Sequence, residues 1–193
     1  MPLKPANALS KTLKWKDFTH LDKPAPEPGE TAQAAWTRVD YSYTSANVNW
    51  DGSKPKKYKV TDLPTISVRM HPDCWVANFM FDWPKGHQDD LLDHEQLHYL
   101  IGVLAARDCS TAFAALKNSE YDTVEDATTE FNALFAELDV NKIQLKYDKD
   151  THSQPTDFPV KQKAWATAIT LSHKNNKPLR TTLKAAGLID DTM

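Results

Sequence analysis

Two histidines and one glutamate near the middle of the chain have the spacing of a metal site on a helix. They stand in the segment His94-Glu95-Gln96-Leu97-His98. On a helix with about 100° per residue, His94 and His98 lie one turn apart on one face, so both imidazoles can bind the same metal ion. Glu95 lies about 100° further round, where it suits a general base better than a third ligand. The pattern predicts a zinc site with His94 and His98 as ligands and Glu95 as the catalytic base that takes a proton from an activated water molecule.

The residues around this motif indicate that its helix is mostly buried. Small residues continue the site face, and aliphatic residues cover much of the rest: Gly102, Ala105, Ala106, Leu97, Leu100, Ile101, Val103 and Leu104. Unpaired polar groups in a protein interior are costly, and a metal ion would give the imidazoles a partner. The alternative, two surface histidines beside a solvated glutamate, is disfavoured by these apolar neighbours.

The third protein ligand must come from another segment. The motif does not continue into the longer histidine pattern of the metzincins, and catalytic zinc sites typically have three protein ligands. We expect the third ligand in residues 147–152, with His152 as the first choice and Asp148 as the second. Glu120 and Glu130 are further candidates. The same segment also reads as a polar helix end with no metal role.

The two cysteines, Cys74 and Cys109, are expected not to bind this zinc ion. Cys109 lies about three helical turns from His98, on the order of 16 Å away. Two cysteines are too few for a disulfide framework and have no CxxC spacing. A disulfide between them is left open for an exported protein.

The segments that precede the motif have the pattern of strands. A proline-rich loop covers 22–30, and an Asp51-Gly52 turn separates the first strands. Alternating β-branched and aromatic residues predict strands at Trp36–Thr44, Tyr58–Val60, Thr65–His71 and Cys74–Phe81. These pieces predict a small antiparallel or mixed sheet.

The second half has helical periodicity. The motif helix is predicted from about Leu91 to Ala106, and as far as Lys117 in its longest form, with Asp89 or Asp90 as its cap. A second helix is predicted over Val124–Lys146, and a third begins near Pro159. Strands followed by helices predict an α+β fold. We place one domain at 13–193 and a weakly structured segment at 1–12.

Composition and charge exclude two classes of partner. The formal net charge of −3 gives no basis for binding nucleic acid or an anionic membrane. No stretch approaches the roughly 20 apolar residues of a membrane span. The first five residues lack the apolar run of a signal peptide. The zinc motif itself is typical of metallopeptidases, so we expect a peptide or protein substrate, with Thr65–His71 or Cys74–Phe81 as the edge strand that pairs with it.

Several segments resemble, in matching order, a family of largely uncharacterised bacterial proteins described as secreted zinc-dependent proteases. Leu13–Phe18 resembles the family's opening W-x-D-F, and Ala32–Tyr43 is similar to its first strand. His71–Val76 then precedes the helix. Leu91–His98 resembles the pattern L-L-x-H-E-Q-x-H, and Tyr147–Thr151 resembles Y-D-x-x-T-x-H-G. In the family one residue separates this threonine from the histidine, whereas here the histidine follows directly.

The resemblance covers about residues 13–170 and implies a zincin-like core. It implies that His94 and His98 bind zinc, that Glu95 is the base, and that the protein is exported. The leading hypothesis is a zinc-dependent hydrolase of the metallopeptidase type. The alternative is a zinc-binding protein or interaction module without catalytic activity, in which the metal has a structural role.

Overall fold

The computed structural model describes residues 2–25, 33–50, 52, 55–152 and 158–193. The helices are α1 (Pro5–Ala8), α2 (Lys85–Ala115), α3 (Val124–Ala136), α4 (Asn141–His152), α5 (Phe158–Lys174) and α6 (Leu179–Ala185). The strands are β1 (Thr19–Leu21), β2 (Ala35–Trp36), β3 (Val39–Tyr43), β4 (Asn47–Trp50), β5 (Tyr58–Asp62), β6 (Ile66–Met70), β7 (Trp75–Ala77) and β8 (Glu120–Tyr121). Single 3-10 turns cover Trp15–Asp17 and Asn78–Asp82. The predicted α+β class is confirmed at this level.

The strands form three small sheets. In the first, β7 lies between β1, to which it is parallel, and β2, to which it is antiparallel. In the second, β3 pairs antiparallel with β6, so that Val39 lies opposite Met70. In the third, β5 lies between β4 and β8. The strands predicted to form one small sheet thus belong to three separate sheets. Asp51 of the predicted turn and residues 26–30 of the proline-rich loop lie outside the described residues.

The edge-strand prediction is wrong for Cys74–Phe81 and stays a prediction for Thr65–His71, whose strand has one described strand partner. Strand β6 has β3 on one side and Leu3 on the other, where Leu3 and Val68 exchange two backbone hydrogen bonds of 2.7 Å. Strand β7 is the middle strand of its sheet, and the predicted strand ends at Ala77 because a 3-10 turn follows. Strands β2 and β3 also have one described strand partner each.

Helix α2 has 31 residues and begins earlier than predicted. Pro84 precedes its first residue, and the Pro84 carbonyl accepts the first helical hydrogen bonds from His87 and Gln88. Proline suits this position because its fixed φ and missing N–H are tolerated at a helix start. Asp89 and Asp90 therefore lie inside the helix, and the prediction that one of them caps it is wrong.

The middle of α2 is buried on both sides. One apolar cluster joins it to the strands and α3, and includes Val103, Ala106 and Val68. A second cluster joins it to α4, α5 and α6, and includes Leu97, Ile101 and Trp165. No described helix is long and apolar enough to span a membrane. The central position of α2 fixes its histidines in the interior.

The helix predicted over 124–146 is two helices. Helix α3 starts at a reciprocal cap, in which Thr123 Oγ1 accepts from the Asp126 amide at 3.0 Å and Asp126 Oδ2 accepts from the Thr123 amide at 3.1 Å. It ends at Ala136 because the chain turns to bury Leu138. Asp139 Oδ1 then accepts from the Asn141 amide at 3.0 Å at the start of α4. The break allows α4 to run along α2.

The described part of the N-terminal segment, from Pro2 onwards, packs on α2 and the strands. It contains α1, and Ala8 is fully buried in the cluster between α2 and the strands. Gln96 of α2 holds the segment, since its Oε1 accepts from the Leu13 amide at 2.7 Å and its Nε2 donates to the Lys11 carbonyl at 3.2 Å. Apolar residues spaced among the lysines give this segment enough buried surface to dock.

Candidate metal site

Three possible ligand atoms from two helices meet in the protein interior. His94 and His98 project from α2, and Asp148 projects from α4. The two Nε2 atoms lie 3.0 Å apart, and Asp148 Oδ1 lies 2.8 Å from His98 Nε2 and 3.3 Å from His94 Nε2. Tetrahedral zinc with ligand bonds of about 2.0–2.1 Å would separate its ligand atoms by about 3.3–3.4 Å. The three atoms therefore fit a zinc ion after movements of a few tenths of an ångström.

Aromatic side chains enclose the two imidazoles. The exposed fraction is 1% for His94 and 7% for His98. The Tyr147 ring stacks on His94 with 4.6 Å between centroids and meets His98 edge-on at 4.8 Å. Its hydroxyl donates to Gln162 Oε1 of α5 at 2.6 Å. The same residues that form the core between α2, α4 and α5 thus set the ring planes of both histidines.

Two polar residues of α4 contact the outer nitrogens of the histidines, and the sequence reasoning missed both. Gln144 Oε1 lies 2.5 Å from His98 Nδ1, and Thr151 Oγ1 lies 3.5 Å from His94 Nδ1. With Asp148 they have the spacing i, i+4, i+7, which places them on one helical face. That spacing was visible in the sequence, but it carries information only once α4 is known to be a separate helix beside α2.

Charge within the cluster favours a cation. Burial raises the pKa of the Asp148 carboxyl, but hydrogen bonds from His94 and His98 outweigh burial and hold that pKa below its usual range. Burial lowers the pKa of His98, while the hydrogen bond to Asp148 and the charge of Glu95 raise it further, so the net shift is upward. An ionised carboxylate beside two imidazoles is the donor set expected for a divalent metal ion.

Glu95 is a buried carboxylate beside the cluster. Its exposed fraction is 3%, and its Oε2 has no hydrogen-bond partner among the described residues. Burial raises the pKa of Glu95, while the charge of His98 and the nearby Thr37 hydroxyl lower it, and the net shift is upward. A buried acceptor without a partner is costly, so this oxygen fits a water molecule or substrate group that enters the site.

A cleft of about 1590 Å³ leads to these residues. One wall is the chain from Gln33 to Tyr41, the floor is α2, and the other wall is residues 138–149. Gly102 allows the close approach of β3, because a Cβ there would lie 2.9 Å from Val39 Cβ. Tyr41 donates to the Gly102 carbonyl at 3.1 Å. The small residue on the site face therefore lets β3 approach α2 closely.

The candidates for the third ligand differ in position. Asp148 meets both histidines. His152 is the last residue of α4, and its side chain lies outside the described residues. Glu120 forms an ion pair with Lys59 at 3.0 Å on β5, and Glu130 accepts from the Tyr121 hydroxyl at 2.7 Å. The structure does not bring these two glutamates into the histidine cluster.

Both cysteines are buried free thiols at other places in the core. Cys74 donates to the Arg38 carbonyl at 3.4 Å, and Cys109 donates to the Leu134 carbonyl at 3.3 Å. Burial raises the pKa of each thiol to about 11. The described cluster of possible metal ligands consists of His94, His98 and Asp148.

Comparison of the chain with protein-family models, with curated proteins and with solved structures gives no match. What the structure defines is a mixed α+β protein with a buried pair of histidines and an aspartate at the floor of a cleft.

Proposed function

We propose that the protein is a zinc-dependent hydrolase that cleaves peptide bonds. In this proposal His94, His98 and Asp148 hold the metal ion, and Glu95 is the general base. The observation that carries it is the convergence of three ligand atoms beside a buried carboxylate oxygen without a described partner, at the floor of an open cleft. A zinc ion supplies a Lewis acid and lowers the pKa of water to about 7.

The position of Glu95 and the direction of its pKa shift support its role as a base. Glu95 follows His94 directly on α2, and it lines the same cleft as both histidines. A general base works best when its pKa lies near the working pH, and burial shifts the pKa of Glu95 upward in that direction. Its free Oε2 can accept a proton from the attacking water and return it to the leaving amine.

The shape of the cleft supports an extended peptide as the substrate. The wall opposite α4 is made by β2 and β3, and each of these strands has one described strand partner. A peptide that adds to such an edge gains main-chain hydrogen bonds, while pockets select alternate side chains. We infer that the scissile bond lies over α2 while the peptide backbone runs along Ala35–Asp40.

The resemblance of Leu91–His98 and Tyr147–Thr151 to secreted zinc-dependent proteases points the same way. Both segments carry residues of the proposed site: the first supplies the two histidines and Glu95, and the second supplies Asp148. On this ground we propose membership of that family and a zincin-like core.

The test uses the purified full chain, with its metal content and its peptidase activity measured separately. We expect about one zinc per chain and cleavage of a mixed peptide library, read by mass spectrometry. Glu95→Gln should keep the metal and lower turnover by roughly 10²–10⁴, the usual contribution of a general base. Glu125→Gln, at an exposed position of α3, is the matched control and should leave both unchanged.

The outcomes separate the two functions that the sequence left open. Zinc binding with no cleavage of any library peptide would identify a zinc-binding protein without catalytic activity. Cleavage that is equal in the wild type and in Glu95→Gln would remove Glu95 from the mechanism. Absence of metal from the purified protein, with none taken up on titration, would overturn the proposal as a whole.

A further inference from the structure

We infer that Gln144 is a positioning residue that fixes the ring of His98 so that Nε2, not Nδ1, faces the metal site. The inference rests on the proposed function only for the identity of the metal. Gln144 lies on α4 one turn before Asp148, so one helix face supplies both a ligand and the residue that orients another ligand.

The orientation of the Gln144 amide follows from its two contacts. Its Nε2 lies 3.0 Å from the backbone carbonyl oxygen of His98, which can only accept a hydrogen bond. The nitrogen of the amide must therefore point to that carbonyl, and the oxygen must point to the ring. This places Gln144 Oε1 2.5 Å from His98 Nδ1. Because an amide oxygen is only an acceptor, His98 Nδ1 carries the proton.

The position of this proton determines what the other ring nitrogen can do. A neutral imidazole with a proton on Nδ1 has a lone pair on Nε2. That lone pair points towards His94 Nε2 at 3.0 Å and Asp148 Oδ1 at 2.8 Å. Two bare acceptors at this distance repel each other, so either a proton on Nε2, which makes the hydrogen bond to Asp148, or a metal ion must lie between them. The Gln144 contact thus prepares His98 to bind a metal ion.

His94 has a weaker contact of the same kind. The Thr151 hydroxyl donates its only hydrogen to the Tyr147 carbonyl at 2.7 Å, so its oxygen lone pairs face His94 Nδ1 at 3.5 Å. The two contacts differ in strength, because the Gln144 contact is 1 Å shorter by these distances. We therefore assign the larger role in ligand orientation to Gln144. Outer partners of this kind fix the tautomer of metal-binding histidines.

The amide also fixes the ring relative to the backbone of α2. Gln144 contacts the ring and the main-chain carbonyl of the same residue, so His98 cannot rotate about its side-chain bonds without losing one contact. A glutamate in its place would keep the acceptor and lose the donor. A methionine, of similar length, would lose both. Both variants keep a side chain of similar length, and only the glutamate keeps the acceptor. A difference between them therefore reports the acceptor role and not the packing of the side chain.

The first measurement is zinc affinity, by competition with a chromophoric chelator. Gln144→Met should bind zinc 10–100-fold more weakly, the usual effect of removing an outer partner of a metal ligand. Gln144→Glu should stay close to the wild type, because the acceptor is retained. Gln88→Met is the matched control, since Gln88 is also partly buried and bonded to carbonyls, those of Phe81 and Trp83. Equal affinity in all four proteins, or an equal loss in both Gln144 variants, would overturn the inference.

The second measurement is nitrogen-detected NMR of the His98 ring in metal-free protein, and it requires neither zinc nor activity. We expect a slowly exchanging proton on Nδ1 in the wild type, in Gln144→Glu and in Gln88→Met, and its loss in Gln144→Met. A wild-type ring with a bare Nδ1 would overturn the inference, even if Gln144→Met fails to fold. A protected Nδ1 proton in a wild type that takes up no zinc would support the positioning role and overturn only the proposed function.

Discussion

Asp148 Oδ1 lies 2.8 Å from His98 Nε2, although the two residues stand 50 positions apart in the chain. The contact joins α2 to α4, and the Tyr147 ring packs beside it against both histidines. At the proposed site, metal binding would therefore be coupled to the docking of α4, because the ion would tie the two helices together. A ligand that binds only the folded state stabilises that state in proportion to its occupancy.

Removal of either histidine should abolish tight zinc binding. His94→Ala and His98→Ala each leave two protein ligands, fewer than the three of a typical catalytic zinc site. Elemental analysis of each purified variant should find much less than one zinc per chain. His173→Ala is the control, since this histidine is exposed on α5. Full zinc content in both site variants would show that the histidines do not hold the metal.

Replacement of Asp148 by asparagine should weaken zinc binding, because it removes the only negative charge in the ligand set. The matched control is Asp150→Asn on the same helix. Asp150 accepts from Trp165 Nε1 at 3.1 Å and pairs with Lys146, so its loss should change stability but leave zinc affinity intact. His152→Ala completes the series. If that variant loses zinc while Asp148→Asn retains it, His152 is the third ligand.

Zinc affinity should fall as the pH is lowered. Protons compete with the metal for imidazole nitrogen, and although burial lowers the pKa of His98, the hydrogen bond to Asp148 and the charge of Glu95 give a net upward shift in the metal-free protein. The loss of zinc affinity should therefore begin at a higher pH than it would for a histidine with an ordinary pKa. The pKa of Asp148 is shifted downward, so this carboxylate stays ionised over the same pH range. It therefore does not contribute to the change of zinc affinity with pH. Dissociation constants measured from pH 8 to pH 6 should rise with each step. A constant value across this range would contradict binding through the two imidazoles.

The motif residues could be predicted from the sequence because their information is local. The spacing of His94, Glu95 and His98 fixes their places on one helix, and apolar neighbours indicate burial. The break between α3 and α4 could not be predicted in this way, since the 124–146 pattern is compatible with one helix. The break depends on the burial of Leu138, which is a tertiary contact.

The error about the helix break had a direct consequence for the site. With a single helix over 124–146, residues 147–152 read as an exit turn, and any of their polar side chains could reach the metal. With α4 as a separate helix, Gln144, Asp148 and Thr151 lie on one helical face. Strand β7 was misassigned as an edge strand for a similar reason, because strand order depends on distant pairing such as that of β1 with β7.

Gly102→Ala should destabilise the protein, although alanine is the better helix former. In α2 the new Cβ would lie 2.9 Å from both Cβ and Cγ2 of Val39, and 3.3 Å from the Tyr41 hydroxyl oxygen. A valine on a strand cannot turn its Cβ away, so β3 itself must shift. Overpacking of this kind typically costs about 1–3 kcal/mol. The gain in helix propensity is about 1 kcal/mol. The clash should therefore dominate, and the free energy of unfolding in urea should fall by up to about 2 kcal/mol.

Gly86→Ala is the matched control in the same helix, because a Cβ at this position meets nothing within 4 Å. It should leave stability unchanged or raise it by up to about 1 kcal/mol, since only the propensity gain remains. Gly102→Ala should cost less stability in a Val39→Ala background than in the wild type, because removal of the Cγ atoms relieves part of the contact. If Gly102→Ala is as stable as Gly86→Ala, β3 does not pack against α2 at this point, and the cleft wall that it forms beside Glu95 must be placed differently.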